Sequence, residues 1–316
     1  MQLNKKKFLL LLLTICSLCL YLFIDIKPGT FDYAMKLRLP KVAGVILAAV
    51  CLSAGTLIFQ TLVNNRILTP CILGLTPLYV LTQTVIIFFW GSTSLLVVNK
   101  TANFLLTIVI MLMCSMFLYR ILFERQSQNI LLLLLIGTVL GSLFSSFNQT
   151  LQRIIDPNEF MVLQNKLFAS LTNINAEILF LGAILLFSVI IWCYKDLKYL
   201  DVISMGKEQA ISLGVNYKQK VKKFMLAVTI LISLATAMIG PVTFLGFLVV
   251  NVTHEIIKTY KHKYLIIASV LIGCITILLG QTLVENVFHF NATLTSLITF
   301  TGGSYFIYMV MRENNA

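Results

Sequence analysis

Apolar runs of near membrane-spanning length follow one another along this 316-residue chain, and they limit its fold more than any other feature. Residues 8–26, 42–63, 130–147 and 178–192 are examples. About 20 apolar residues carry a helix across the hydrocarbon core. Backbone groups in lipid must bond within the segment, so these runs predict α-helices. Strands alternating apolar and polar residues, the mark of a membrane barrel, are not seen. Composition agrees: 59% of residues are hydrophobic and 11% are charged, where a soluble domain carries roughly a quarter charged. So little charge cannot cover a water-facing surface.

The pattern predicts ten spanning or near-spanning helices, at 8–26, 41–63, 70–90, 102–120, 129–151, 176–195, 221–239, 242–258, 264–284 and 294–312. The fold class is an all-α, polytopic membrane protein with one domain over residues 1–316. A short amphipathic piece near 160–171 is read as lying on the outer surface. Lys5-Lys6-Lys7 before an apolar run resembles the start of a signal peptide. No small-x-small cleavage site follows, so the run is read as a retained first helix.

A net charge of +12 invites a nucleic-acid reading. The charges sit instead in short loops between apolar runs, as the positive-inside rule describes, and no nucleic-acid partner is expected. With the N-terminus inside and alternating helices, 17 of the 24 Lys and Arg fall inside and 7 outside. This predicts cytoplasmic N- and C-termini in the cell membrane.

The longest polar stretch, 195–223, then faces the cytoplasm (its core is 196–220). Ser204-Met205-Gly206-Lys207-Glu208-Gln209-Ala210-Ile211-Ser212-Leu213-Gly214-Val215 reads as two short helical pieces broken by glycines. Its apolar and polar residues interleave, as expected of a membrane-surface helix or one set in a partner's groove.

Enzyme signatures are absent. There is no G-x-x-x-x-G-K-[ST] phosphate loop and no H-E-x-x-H. His254, His262 and His289 fall on both sides of the membrane and read as solvated or interfacial. Cys16-Ser-Leu-Cys19 has redox spacing but lies in the first membrane run, and all seven cysteines read as packing residues. No cofactor or metal is expected. The apolar runs are nearly free of Asp, Glu, Lys and Arg, the residues that build proton or ion relays. Energy for uphill transport would then come from another subunit.

Four blocks carry a family resemblance. Leu37-Arg38-Leu39-Pro40-Lys41, opening the second helix, is similar to R-[LI]-P-R. Gln60, then Asn65-Arg66-Ile67-Leu68-Thr69-Pro70 and Ile72-Leu73-Gly74, is similar to Q-x4-N-P-L-A-x-P-x-[IL]-L-G. Residues 204–215 are similar to L-S-L-G-E-E-A-A-x-S-L-G-V, and Gly240-Pro241-Val242-Thr243-Phe244-Leu245-Gly246 to G-P-I-x-F-[VL]-G. In this order the blocks resemble the FecCD/BtuC-type permeases of bacterial ABC importers for iron-siderophores, haem and cobalamin.

The resemblance implies a ten-helix fold and iron-siderophore cargo. It implies a sister permease, two cytoplasmic ATP-binding subunits and an extracytoplasmic substrate-binding lipoprotein. Haem or cobalamin cargo, or a scaffold or sensor without transport, are the alternatives. It implies that Ser204, Met205, Gly206, Lys207, Glu208, Gln209, Ala210, Leu213 and Gly214 couple to the ATPase. It gives Arg38, with Lys41 beside it, a docking role toward the binding protein. Gly240, Pro241, Gly246, Gln60, Asn65 and Pro70 become helix-breaking or gating candidates. Gly55, Gly74 and Gly246 are read as sites of close helix approach.

The chain departs from the pattern in places. Glu285 stands where the family often has a second docking Arg. Arg66 replaces the first Pro of N-P-L-A-x-P. Val250, Asn251 and His254 replace the P-H-x-x-R pattern. Asn64-Asn65-Arg66-Ile67-Leu68-Thr69-Pro70 looks like one member of the two-permease pairs of Gram-positive siderophore systems of the petrobactin or catecholate kind. That implies a heterodimer.

Overall fold

The computed structural model describes residues 2–24, 31–124, 130–167 and 175–314. Among them the fold is helical throughout. The helices are α1 (Gln2–Phe23), α2 (Phe31–Val63), α3 (Leu75–Trp90), α4 (Leu95–Val98), α5 (Lys100–Glu124), α6 (Ile130–Ile154) and α7 (Pro157–Leu167). There follow α8 (Ala176–Tyr194), α9 (Leu197–Ile203), α10 (Lys207–Ser212), α11 (Tyr217–Ile239), α12 (Leu245–Ile256), α13 (His262–Asn286) and α14 (Leu294–Asn314). A 3-10 turn at Pro70–Leu73 precedes α3.

Each of the ten sequence-predicted segments falls on one of these helices. Among the described residues six are long and apolar enough to cross a membrane: α1, α2, α8, α11, α13 and α14. Leu75–Trp90, Lys100–Met116 and Leu245–Ile256 are shorter apolar stretches. Asp25, Lys27, Arg125, the last residues of 8–26, residue 129 and the end of the 160–171 piece lie outside the described residues.

Two boundaries differ from expectation. The second helix begins at Phe31, ten residues early, and carries Pro40 inside it. Proline lacks the N–H that position would donate, yet the helix runs through it. Of the two short helical pieces expected within 204–215, one is present there, α10; α9 ends before Ser204, and α11 starts at Tyr217 rather than 221. The amphipathic piece expected near 160–171 coincides with α7 as far as Leu167.

α2 is the centre of the bundle. In its apolar window 78% is buried inside the protein, against 22% for α1 and 17% for α14. Helices α8, α11, α12 and α13 pack around it. Its buried Ala48, Ala49, Ser53 and Ala54 let neighbours approach closely, which is how membrane helices associate where lipid removes the hydrophobic drive. At the rim, Phe8, Phe180, Phe187, Ile191 and Phe300 are exposed, as lipid-facing side chains should be.

The two ends of the bundle are distinguishable. Lys6 Nζ donates to Ile256 O at 2.8 Å, and Arg312 Nη1 to Glu255 Oε1 at 3.1 Å. The start of α1, the ends of α12 and α14, and the start of α13 therefore share one end with α9. Arg38, Lys41 and Glu285 mark the other.

Candidate functional site: the α9–α10 turn and its anchors

The α9–α10 segment is held by glycine geometry and by ion pairs. Gly206 has φ +111 and ψ 163, a backbone region open in practice only to glycine. It turns the chain from α9 into α10. Gly214, at φ +79, ends α10. Its N–H donates to Ile211 O at 2.9 Å, and the N–H of Val215 donates to Ala210 O at 3.0 Å. That bond pair is the Schellman helix stop, with Ala210 and Val215 as its apolar contact; both are buried. Both glycine breaks seen in the sequence are thus backbone turns that side-chain-bearing residues resist.

The exposed part of the segment is partly apolar. Met205, Ile211 and Leu213 are 60%, 52% and 62% exposed. Lys207, Glu208 and Gln209 are exposed beside them. Ser204 caps α9, its Oγ donating to Asp201 O at 2.8 Å. Leu200 and Ile203 bury the opposite face of α9 against α2 and α13.

Asp196, just before α9, takes Lys220 Nζ at 2.6 Å and Lys223 Nζ at 2.7 Å, both from α11. Burial opposes ionisation of Asp196, but the hydrogen bonds and charges of the two ammonium groups outweigh it and hold the carboxyl below the usual carboxylate range. Lys220 also lies 4.3 Å from the Tyr199 ring centroid and Lys223 5.0 Å from that of Trp192. The segment is fixed to α11 as well as to the core.

At the other end, Arg38 Nη1 lies 2.8–3.0 Å from the carbonyls of Tyr21, Leu22 and Ile24, the last turn of α1. A cation there satisfies orphan carbonyls and opposes the helix dipole. Lys41 pairs with Glu285 at 2.8 Å, and both are mostly buried. The same Glu285 oxygen accepts from Gln281 Nε2 at 2.8 Å and from the Tyr21 hydroxyl at 3.2 Å. Arg38, Lys41 and Glu285 thus tie α1, α2 and α13 together. Sequence reading singled out all three but gave none of these internal partners, because they lie far away in the chain.

The breaking candidates form two adjacent interruptions. Gln60 Nε2 and Asn251 Nδ2 both donate to Arg66 O, at 2.7 and 3.1 Å. Asn65 Oδ1 accepts the N–H of Ile67 at 2.8 Å, and Pro70 opens the 3-10 turn. Gly240, at φ +88, ends α11; Pro241 follows, and α12 restarts at Leu245. Cys71 Sγ lies 3.9 Å from Thr243 O, bringing the two breaks together. α12 has 12 residues, about 18 Å at 1.5 Å each, against a core of about 30 Å. The Gly240 break therefore sits within the bundle. A Cβ on Gly246 would fall on the Thr56 side chain of α2, and one on Gly74 would lie 3.3 Å from Gly141 of α6. Beside the first break, Arg66, Ser204, His254, Lys258 and His262 help to line a cavity of about 510 Å³.

One feature escaped the sequence reading. Thr138, Ser142, Ser146, Gln149 and Arg153 on α6 are exposed. At 100° per residue they fall within about a third of the helix circumference. Spacings of three and four residues carried the signal, but the apolar residues between them hid it. About a third of a turn round the helix from the stripe, Gly141 meets Gly74, and Asn148 Oδ1 accepts from Thr84 Oγ1 at 2.5 Å.

Comparison with known proteins follows the same outline. The family model described as the FecCD transport family matches residues 9–312. The petrobactin import system permease protein YclO of Bacillus subtilis (strain 168) is 46% identical over 99% of both chains. The petrobactin import system permease protein FatC of Bacillus anthracis is 34% identical over 92% of this chain and 82% of its own. A solved chain described as an inward-facing metal-chelate type ABC transporter superposes with TM-score 0.81 over 98% of this chain and 99% of its own, at 21% identity. Members of such a family are permease subunits that work with separate ATPase and substrate-binding components and are not themselves enzymes. From a match that runs almost end to end, on a bundle of this architecture, it follows that this multi-pass membrane chain belongs to the FecCD transport family.

Proposed function

We propose that this chain is one half of the permease of an ATP-driven importer for iron(III)-siderophore complexes, of the petrobactin or catecholate kind. The observation that carries the cargo is the 46% identity to YclO over 99% of both chains. The other half is a sister permease, so the pore is a heterodimer. Two ATP-binding subunits sit on the cytoplasmic face and a substrate-binding lipoprotein docks outside. The α9 end is cytoplasmic, which the 17-to-7 charge bias supports, and both termini share it.

Residues 204–215 are the coupling element. Their exposed Met205, Ile211 and Leu213 enter a groove on the ATPase, and Asp196 and the two glycines keep the element in shape for that groove. ATP binding draws the ATPases together, and the element passes the movement to the bundle. No chemistry occurs on this chain. Outside, Arg38 meets a carboxylate of the binding protein, with Lys41 nearby. A guanidinium carries donors on three nitrogens, so holding α1 through Nη1 leaves donors for a paired contact.

The cargo path runs along the polar stripe of α6. A membrane helix showing Ser, Thr, Gln and Arg on one exposed stripe is unstable against lipid and suits a water-filled path between two permeases. The broken backbone at 64–74 and 240–244 fits the same reading, since irregular backbone at membrane depth is tolerated where it is buried or lines a cavity. These breaks are the gate candidates. Deleting this chain from cells and following labelled ferric chelates tests the cargo: uptake of at least one catecholate chelate is lost. Unchanged uptake of every chelate overturns it. Replacing 206–214 by a flexible linker tests the coupling element: ATPase association is lost, and retained assembly with transport refutes the assignment.

A further inference from the structure

His262 was read from sequence as solvated or interfacial; it is 4% exposed. It stands at the first position of α13, between α9 and the end of α2. On one side Asp201 Oδ1 of α9 accepts the backbone N–H of His262 at 2.7 Å and lies 2.6 Å from its Nδ1. On the other, His262 Nε2 lies 2.9 Å from Thr61 Oγ1 of α2. Thr61 Oγ1 is also 2.8 Å from Leu57 O, one turn back in α2.

The proton count gives this chain of atoms a direction. The Asp201 carboxylate can only accept, so Nδ1 carries a hydrogen, and in the neutral ring this tautomer leaves Nε2 as an acceptor. The single hydroxyl hydrogen of Thr61 then serves either Nε2 or Leu57 O. Thr61 is bound to α13 in one arrangement and closed on its own helix in the other.

The location matters as much as the bonds. Thr61 follows Gln60, whose amide holds Arg66 O across the first helix break. Asp201 sits three residues before Ser204, at the root of the coupling element. Apolar packing of Leu200 and Ile203 positions α9 without the directionality of a hydrogen bond. The polar chain adds a directional link with a buried ring at its centre, and a ring buried at 4% exposure loses much if left half-bonded.

We propose that Asp201, His262 and Thr61 form a positioning strut that carries movement of the coupling element to the inner end of α2 and the adjacent break. This rests on the coupling reading above. The strut matters for the yield of transport per ATP hydrolysed, and not for docking of the ATPase.

The test uses the complete transporter in proteoliposomes: both permeases, ATPases and binding protein. Asp201→Asn, Thr61→Val and the conservative Asp201→Glu are compared with the parent. Three quantities are read: ATPase retained on purification, ATP hydrolysed, and ferric chelate moved per ATP. The expectation for Asp201→Asn and Thr61→Val is parental ATPase retention with chelate moved per ATP reduced about 5-fold or more, the lower edge of typical coupling between sites. Asp201→Glu recovers part of the loss. Unchanged chelate per ATP in Asp201→Asn and Thr61→Val overturns the strut. Loss of ATPase from Asp201→Asn, with Thr61→Val like the parent, makes Asp201 a folding residue and also overturns it. Failure of the coupling reading is seen separately, when linker replacement of 206–214 leaves the ATPase bound and transport running.

Discussion

Gly206→Ala is the sharpest single-residue perturbation of the proposed coupling element. Two penalties arise. An added Cβ would lie 2.7 Å from Gln209 Oε1, but that atom ends a flexible, exposed side chain and moves away at little cost. The backbone penalty remains: φ +111 with ψ 163 costs a residue bearing Cβ about 1–3 kcal/mol. At 1.4 kcal/mol per factor of ten, the native turn loses population against relaxed ones by about 5- to 150-fold. If α10 enters the ATPase in its native pose, apparent affinity for the ATPase falls by up to that factor. Helix content and core packing stay unchanged, because the strain is confined to the turn. The assay is titration of purified ATPase against the detergent-solubilised permease pair. Gly214→Ala is the graded companion, since its φ of +79 lies nearer the left-handed well and a Cβ there meets nothing within 4 Å; its loss is smaller. Parental affinity in Gly206→Ala, or a greater loss in Gly214→Ala, refutes the reasoning.

Other perturbations have equally definite outcomes. Glu285→Ala strands the mostly buried Lys41 ammonium and the Gln281 and Tyr21 donors; thermal unfolding should show a loss of about 1–3 kcal/mol, below the figure for a fully buried pair. Gly246→Val overpacks α12 against Thr56, whose Cβ would be 2.8 Å from the new Cβ, at about 1–3 kcal/mol; adding Thr56→Ala returns part of it, as a double-mutant cycle will show. Asp196 has a folded pKa held below its unfolded value. Its pairs therefore add stability above the unfolded carboxylate value, and the contribution disappears as pH falls through the folded value. The parent's stability advantage over Asp196→Asn, followed by thermal unfolding, is flat near neutral pH and shrinks below about pH 4.

Much of this was readable in the chain because lipid imposes a simple rule on sequence. Long apolar runs located all ten sequence-predicted segments on helices. Gly206 and Gly214 were visible as breaks, and both have backbone turns that favour glycine. Boundaries were harder: the second helix was expected from residue 41, but α2 runs from Phe31 through Pro40. Long-range polar partners were invisible. Asp201 and His262 lie 61 residues apart and Lys41 and Glu285 244 apart; only the fold brings them together. The α6 stripe was legible in principle, as polar residues three and four apart, but mean apolarity concealed it.

The most direct test of the central claim is transport by the reconstituted system. Proteoliposomes carry this chain with the proposed sister permease and the ATPases, ATP enclosed on the ATPase side, and binding protein with labelled ferric catecholate chelate on the other. The account predicts accumulation that needs ATP, the binding protein and this chain together. Accumulation that proceeds without this chain, or none for any ferric chelate while ATP is hydrolysed in response to the loaded binding protein, would contradict it.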